Sequence, residues 1–254
     1  MLNYFYEFKG DKTMLQNIIG RCRKAIEDYQ MIEENDKIGI GLSGGKDSLA
    51  LLYALYYLRK FYPKKFDIMA ITVDPGLENF DTKPLEKLCQ ELKIEYVVYP
   101  SDIATVVFDI RKEKNPCSLC ANLRRGILNS VAIEHGCNKI ALGHHNDDVI
   151  ETLLMSLFLN GNFYTFSPVT YLSRSNITVI RPMIYVTEKE IRAAAREKNF
   201  PIIEKTCPND GYSKREFTKT LITDLKKDIP KIKENLFGAI KRSNIPGWEI
   251  KQKD

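Results

Sequence analysis

No run of about 18 apolar residues occurs in this 254-residue chain, so no ordinary membrane-spanning helix is expected. The opening Met1-Leu2-Asn3-Tyr4-Phe5-Tyr6-Glu7-Phe8-Lys9 lacks the basic start, apolar centre and small-residue cleavage site of a secretory signal. A cytoplasmic location is the expectation. There is no internal repeat and no low-complexity tract, which leaves one large domain, with or without a helical extension. Histidine is scarce: His135, and the adjacent pair His144 and His145. Adjacent residues seldom point at one metal, so a histidine-built zinc site is not expected.

Charge of one sign is not in large excess, at +5 overall, but it is unevenly placed. Residues 1–180 hold 21 Lys+Arg against 22 Asp+Glu, whereas residues 181–254 hold 17 against 11. A polyanion would meet the C-terminal part, through Lys214, Arg215, Lys219, Lys226 and Lys227. A merely solvated helical face would look the same by charge alone.

Apolar periodicity predicts a helix over 11–32, then a strand at 37–42 and a buried helix from Leu49. Further strands are expected at 66–73, 94–99 and 139–142, with helices at 81–92, 117–135 and from His144 to about Leu159. Such alternation implies an α/β fold, a parallel sheet with helices on both faces. Residues 161–176 read as loop, 178–181 as a last short strand, and 187–198, 213–228 and 230–242 as helices. Thr187 and Glu190 have capping-box spacing. The expected division is an N-terminal segment and helix (1–34), a nucleotide-binding domain (35–182) and a basic helical extension (183–254). The aromatic residues Tyr4, Phe5, Tyr6 and Phe8 suit packing on the chain's own core or on a second copy in a homodimer.

Two polar motifs fall at strand ends, where ligands of parallel sheets bind. The first is Ser43-Gly44-Gly45-Lys46-Asp47-Ser48. Its glycines permit a tight turn and close approach, its amides and the following helix terminus favour an anion, and Lys46 adds a point charge. Asp47 is unusual in a phosphate cradle and makes sense if magnesium bridges it to phosphate. The spacing is not that of a Walker-A loop. It resembles the PP-loop of the ATP pyrophosphatases, which split ATP into AMP and pyrophosphate. The second motif is Gly143-His144-His145-Asn146-Asp147-Asp148, where Asp148 could hold magnesium and His144 could face nucleotide or substrate. Acidic residues also suit any helix start.

Six cysteines in a chain of this class are unlike a disulfide framework. Cys22, Cys89 and Cys137 occupy apolar or structural positions. Cys117-Ser-Leu-Cys120 opens a helix, a setting that favours thiolate chemistry. A closed metal site needs more ligands, and Cys207, in a loop, is the best third candidate. Three thiolates fit a four-iron cluster with one open iron. A zinc site with His135, a redox pair and a persulfide carrier remain alternatives.

Taken together, Ser43–Ser48, Cys117-Ser-Leu-Cys120-Ala-Asn-Leu-Arg-Arg125, Ala141-Leu-Gly-His-His-Asn-Asp-Asp148 with Glu151-Thr152-Leu153, Arg181-Pro182 and Phe200-Pro-Ile-Ile203 resemble the tRNA 2-thiocytidine synthetase family. The likeness covers roughly residues 13–243. It implies the adenine nucleotide α-hydrolase-like fold, ATP and Mg2+ at Ser43–Ser48, and a [4Fe-4S] cluster on Cys117, Cys120 and Cys207. It also implies a sulfur donor such as a cysteine desulfurase, and cytidine 32 of tRNA as the target. In that family the third cysteine follows the Pro-Ile-Ile segment directly, whereas Cys207 stands later, in Cys-Pro-Asn-Asp-Gly. Thiolation of a tRNA uridine therefore stays open. So do a non-thiolating PP-loop tRNA ligase and a zinc-stabilised RNA-binding module. In the thiolation reading, Lys46 and Asp47 act on the phosphates, the three cysteines act in sulfur delivery, and Arg124 and Arg125 hold tRNA phosphate or AMP.

Overall fold

The computed structural model describes residues 13–78, 80–111, 116–203 and 214–250. Tyr4, Phe5, Tyr6, Phe8 and Cys207 lie outside the described residues. Six strands form one sheet in the order β3-β2-β1-β4-β6-β5. These are β1 (Asp36–Gly41), β2 (Phe66–Asp74), β3 (Glu95–Pro100), β4 (Lys139–Ala141), β5 (Val169–Leu172) and β6 (Ile177–Ile180). All neighbours pair in parallel except β5 with β6. The antiparallel edge strand β5 corrects the expectation that 161–176 is loop. Its residues are only partly covered, as befits an edge, so no strong alternation marks it.

The helices are α1 (Met14–Asp28), α2 (Lys46–Leu58), α3 (Lys83–Leu92), α4 (Pro116–Glu134), α5 (Asn146–Asn160), α6 (Glu188–Glu197), α7 (Lys214–Asp228) and α8 (Ile232–Arg242), with a π-helical stretch at Thr105–Ile110. Strand β2 shows how the sheet builds two cores. Phe66, Ile68 and Ala70 join the face covered by α1, α2 and α6, while Met69, Ile71 and Val73 join the face covered by α4. That is the two-residue alternation of a strand buried on both sides. Helices α7 and α8 pack on α5, where Ile150 and Leu154 meet Ile222. Thr13 caps α1 and Thr187 caps α6, each in a reciprocal capping box.

The strand order reverses at β1. The chain runs outward through β2 and β3, then returns to place β4 on the other side of β1. The carboxyl ends of β1 and β4 therefore flank a topological switch point, where an open α/β sheet leaves a crevice. Helix α4 leads into β4, so its first turn also lies at the carboxyl edge of the sheet.

Candidate functional site

The loop after β1 is drawn tight by its own serines. The Ser48 hydroxyl donates to the Gly45 carbonyl (2.9 Å) and accepts the Ser43 amide (3.2 Å). Gly44 has φ +78°, and a Cβ there would lie 2.8 Å from the Ile203 side chain. Only glycine suits that conformation and approach. The Gly44 carbonyl also accepts the Ile203 amide (3.0 Å), which fixes the chain after α6 onto the loop.

Gly143 brings the second motif against the first. A Cβ on it would stand 3.1 Å from the Asp47 backbone and 3.2 Å from the Ser48 nitrogen. Gly143→Ala should push β4's loop off the start of α2, costing about 1–3 kcal/mol by overpacking. Chemical denaturation and ATP titration together check this, with both midpoint and affinity expected to fall.

Lys46 lies between two carboxylates, 3.0 Å from Asp47 and 3.2 Å from Glu188. Burial pulls its ammonium down, but Asp47 and Glu188 outweigh this and hold it above the ordinary lysine range. Burial would raise Glu188; Lys46, Lys219 and Arg192 overcome that and bring it to about 2. Lys46 is thus a fixed cation. Oδ1 of Asp47 is buried without a hydrogen-bond partner, 3.6 Å from Nε2 of His145. An orphaned carboxylate oxygen beside a phosphate cradle suits a hard cation such as magnesium.

Around α5, each acidic group has a distinct environment. His145 is the N-cap of the helix and Asp148 completes the capping box, its Oδ2 accepting the His145 amide (3.0 Å). The other Asp148 oxygen accepts from Arg215 (2.6 Å). Asp147 accepts the Glu188 amide (2.7 Å) and pairs with Lys233. Arg215, expected to face RNA phosphate, is turned inward onto Asp148 and Glu151 instead. Burial pushes the His144 imidazole down to about 4, with Arg181 adding to the effect, so it is neutral near pH 7. Its Nδ1 is buried and unpartnered.

Glu151 is 2% exposed, and burial raises its carboxyl to about 7. A carboxyl with a raised folded pKa binds its proton more tightly when folded. It therefore opposes stability as pH rises from 4.5 through about 7. Glu151→Gln cannot ionise and should stabilise the nucleotide-free protein by about 1–3 kcal/mol near pH 8. The gain should vanish at pH values below 4.5, and urea midpoints across that range test it.

Cys117 and Cys120 lie one turn apart at the start of α4, Cys117 exposed and Cys120 half-buried. The other described cysteines are buried, and burial raises all three thiols: Cys22 furthest, Cys89 to about 12 and Cys137 to about 11. His135 ends the same helix about 27 Å from Cys117 at 1.5 Å per residue, and its ring contacts Glu95 (3.2 Å). It does not complete a zinc site with the pair. Among the described residues, no three His, Cys, Asp or Glu side chains gather in a metal-binding group. Two thiols one turn apart fit a cluster edge. The third candidate, Cys207, lies in a segment whose flanks are held at the crevice, Ile203 by Gly44 and Arg215 by Asp148.

A groove of about 2060 Å³ runs beside this site along α1, α6 and α8, meeting it at Asp147 and Glu188. Much of its positive charge is neutralised locally: Arg21 pairs with Glu190, Arg23 with Glu27 and Lys24 with Asp28. Sequence reasoning missed Glu188, Arg215 and Ile203 as parts of the site. Glu188 reads only as an acidic residue in a helix's first turn, the position it also occupies.

A parallel sheet with Ser-Gly-Gly-Lys-Asp-Ser at its switch point defines a PP-loop ATP-binding protein, and the family model for the PP-loop domain matches residues 14–224. The chain belongs to the tRNA-cytidine(32) 2-sulfurtransferase family. It is 41% identical over 220 residues to the sulfurtransferase of that name from Syntrophotalea carbinolica, covering 85% of each chain. It is 40% identical over 243 residues to that of Geobacter metallireducens, covering 92% of each. Among solved structures it is similar to the U34-tRNA thiolase NcsA from Methanococcus maripaludis with its [4Fe-4S] cluster. That match has a TM-score of 0.73 and 28% identity, and covers 90% of this chain and 78% of that one. No helix among the described residues is long and apolar enough to cross a membrane.

Proposed function

We propose that this chain is an ATP-dependent tRNA sulfurtransferase that converts cytidine 32 to 2-thiocytidine. The observation that carries the reading is the contact of the Ser43–Ser48 loop with the Gly143–Asp148 loop, at the sheet edge toward which the Cys117/Cys120 end of α4 also points by topology. The loop amides cradle the phosphates and Lys46 neutralises charge as pyrophosphate leaves. Asp47, through its unpartnered Oδ1, would hold magnesium, which when bound would offset charge on the phosphates; Asp148 would join it only if Arg215 released its carboxylate. The base oxygen attacks the α-phosphorus, the bond to the bridging oxygen breaks, and pyrophosphate departs with that electron pair. Sulfur then replaces the adenylated oxygen, which leaves with AMP. His144 offers a neutral ring to nucleotide or base.

Cys117, Cys120 and Cys207 would hold a [4Fe-4S] cluster, which when bound supplies a position for presenting sulfide. Cys207 follows Ile203, the residue fastened to Gly44, by four positions in the sequence. The sulfur comes from a donor such as a cysteine desulfurase, and the setting is the cytoplasm. A second reading, thiolation of a uridine, is favoured only by the likeness to NcsA, at lower identity.

The test is anaerobic purification with iron, sulfide and zinc analysis, followed by nucleoside mass spectrometry of tRNA treated with ATP, magnesium and a sulfide source. About four irons per chain and ATP-dependent 2-thiocytidine are expected. A thiolated uridine moves the target. Stoichiometric zinc without iron, and no thionucleoside, refutes the assignment.

A further inference from the structure

The loop leaving α5 divides its aromatic residues into two kinds. Thr165 and Phe166 turn inward. The Thr165 hydroxyl is buried and donates to the Val149 carbonyl (2.9 Å). The Phe166 ring lies 4.9 Å from the His144 ring and 5.0 Å from the Arg181 guanidinium, centroid to centroid or carbon. The Phe166 carbonyl accepts the Trp248 indole N–H (3.2 Å), and the Ser167 carbonyl accepts from Arg181 (2.7 Å). The base of this loop is therefore fastened from α5, from the Arg181 side chain and from the C-terminal segment. The two residues just before it do the opposite. Phe163 is 54% exposed and Tyr164 is 56% exposed.

Single exposed aromatics are ordinary, but two consecutive rings on a pinned loop beside a nucleotide crevice are not explained by packing. A cation lies at the base of their loop, the Arg181 guanidinium 5.0 Å from the Phe166 ring. Arg181 is buried, and burial lowers it to about 10, yet it still feels both Tyr164 and Arg125. Phe166 packs against both the His144 ring and the Arg181 guanidinium, so the pinned base of this loop adjoins the His144 crevice. Rings for stacking, with arginine close by for phosphate, are how proteins grip unpaired bases. A protein partner would be better matched by a wider apolar patch without buried cations.

We infer that Phe163 and Tyr164 form a stacking platform for unpaired bases next to the modified nucleotide. This rests on the RNA-modifying reading above and adds to it a surface that selects looped over paired RNA. The platform would act before chemistry, by holding the loop open over His144.

The experiment measures affinity for a labelled anticodon stem-loop and for the stem duplex alone, with ATP binding as a fold control. Phe163→Ala/Tyr164→Ala should lose roughly tenfold or more on the stem-loop and little on the duplex. Tyr164→Phe should match wild type, and Phe163→Leu/Tyr164→Leu, which keeps bulk without rings, should behave as the double alanine variant. Unchanged stem-loop affinity in the double alanine variant, equal losses on both RNAs, or full binding by Phe163→Leu/Tyr164→Leu overturns the platform. So does conversion of a dimer to monomer with RNA affinity intact, which would make the rings a protein interface. Failure of wild type to bind the stem-loop would instead bring down the RNA-modifying reading, and the platform with it.

Discussion

Cys117→Ala or Cys120→Ala should eliminate thionucleoside formation while leaving ATP-dependent pyrophosphate release within a few fold of wild type. The expected loss is well beyond the roughly 10–100-fold that removal of a metal's outer-shell partner costs. The separation follows from position. Both residues lie at the start of α4, whereas the phosphate loop is built from β1, α2 and the Ile203 contact. Neither cysteine is fully buried, so the fold loses little at exposed Cys117 and only partial packing on the second core at Cys120. The same substitution at Cys89, buried among the α3 contacts, should lower stability and leave sulfur transfer intact in the folded fraction. A cysteine variant at 117 or 120 that still thiolated tRNA would remove the pair from sulfur delivery.

Lys46→Met should reduce adenylation of the tRNA by about 10²–10³-fold, chiefly in kcat. Methionine keeps much of the stem and removes only the charge that Asp47 and Glu188 position. ATP should still bind through the loop amides, with a smaller loss. Glu188 would retain Arg192 at 2.7 Å, so the start of α6 should not unravel. Pyrophosphate release in the presence of saturating tRNA measures the effect. Activity within threefold of wild type, roughly 0.6 kcal/mol in the barrier, would mean that Lys46 does not stabilise the leaving charge.

Much of this could be read from the chain itself. The strand at 37–42 and the turn after it are visible because apolar period and glycine punctuation change at the same place. The helix boundary at Thr187 was legible because its capping box is local, and the structure contains it. Strand β5 was not, since a short, half-covered edge carries no clear alternation. The π-helical turn at Thr105–Ile110 had no sequence signal distinct from any apolar run. Of the site, the members on the two loops were legible and their supports were not. Glu188 reaches Lys46 across 142 positions, and Arg215 reaches Asp148 across 67. Pairings over such spans leave no periodicity. Arg215 looked like one more cation in a basic helix, and only its partner shows that it faces inward.

Trp248 is the chain's sole tryptophan, wholly buried, edge-on to Tyr29 and Phe237. Its indole donates to the carbonyl of Phe166, two residues past Tyr164. The protein thus contains one indole fluorophore, hydrogen-bonded to the loop that presents Phe163 and Tyr164. Emission from an unlabelled sample reports that loop's anchorage directly, with no second indole to mask a shift. A truncation that stops short of residue 248 would remove both the lamp and the tether, so the last turn before Ile250 belongs to the working part of the molecule.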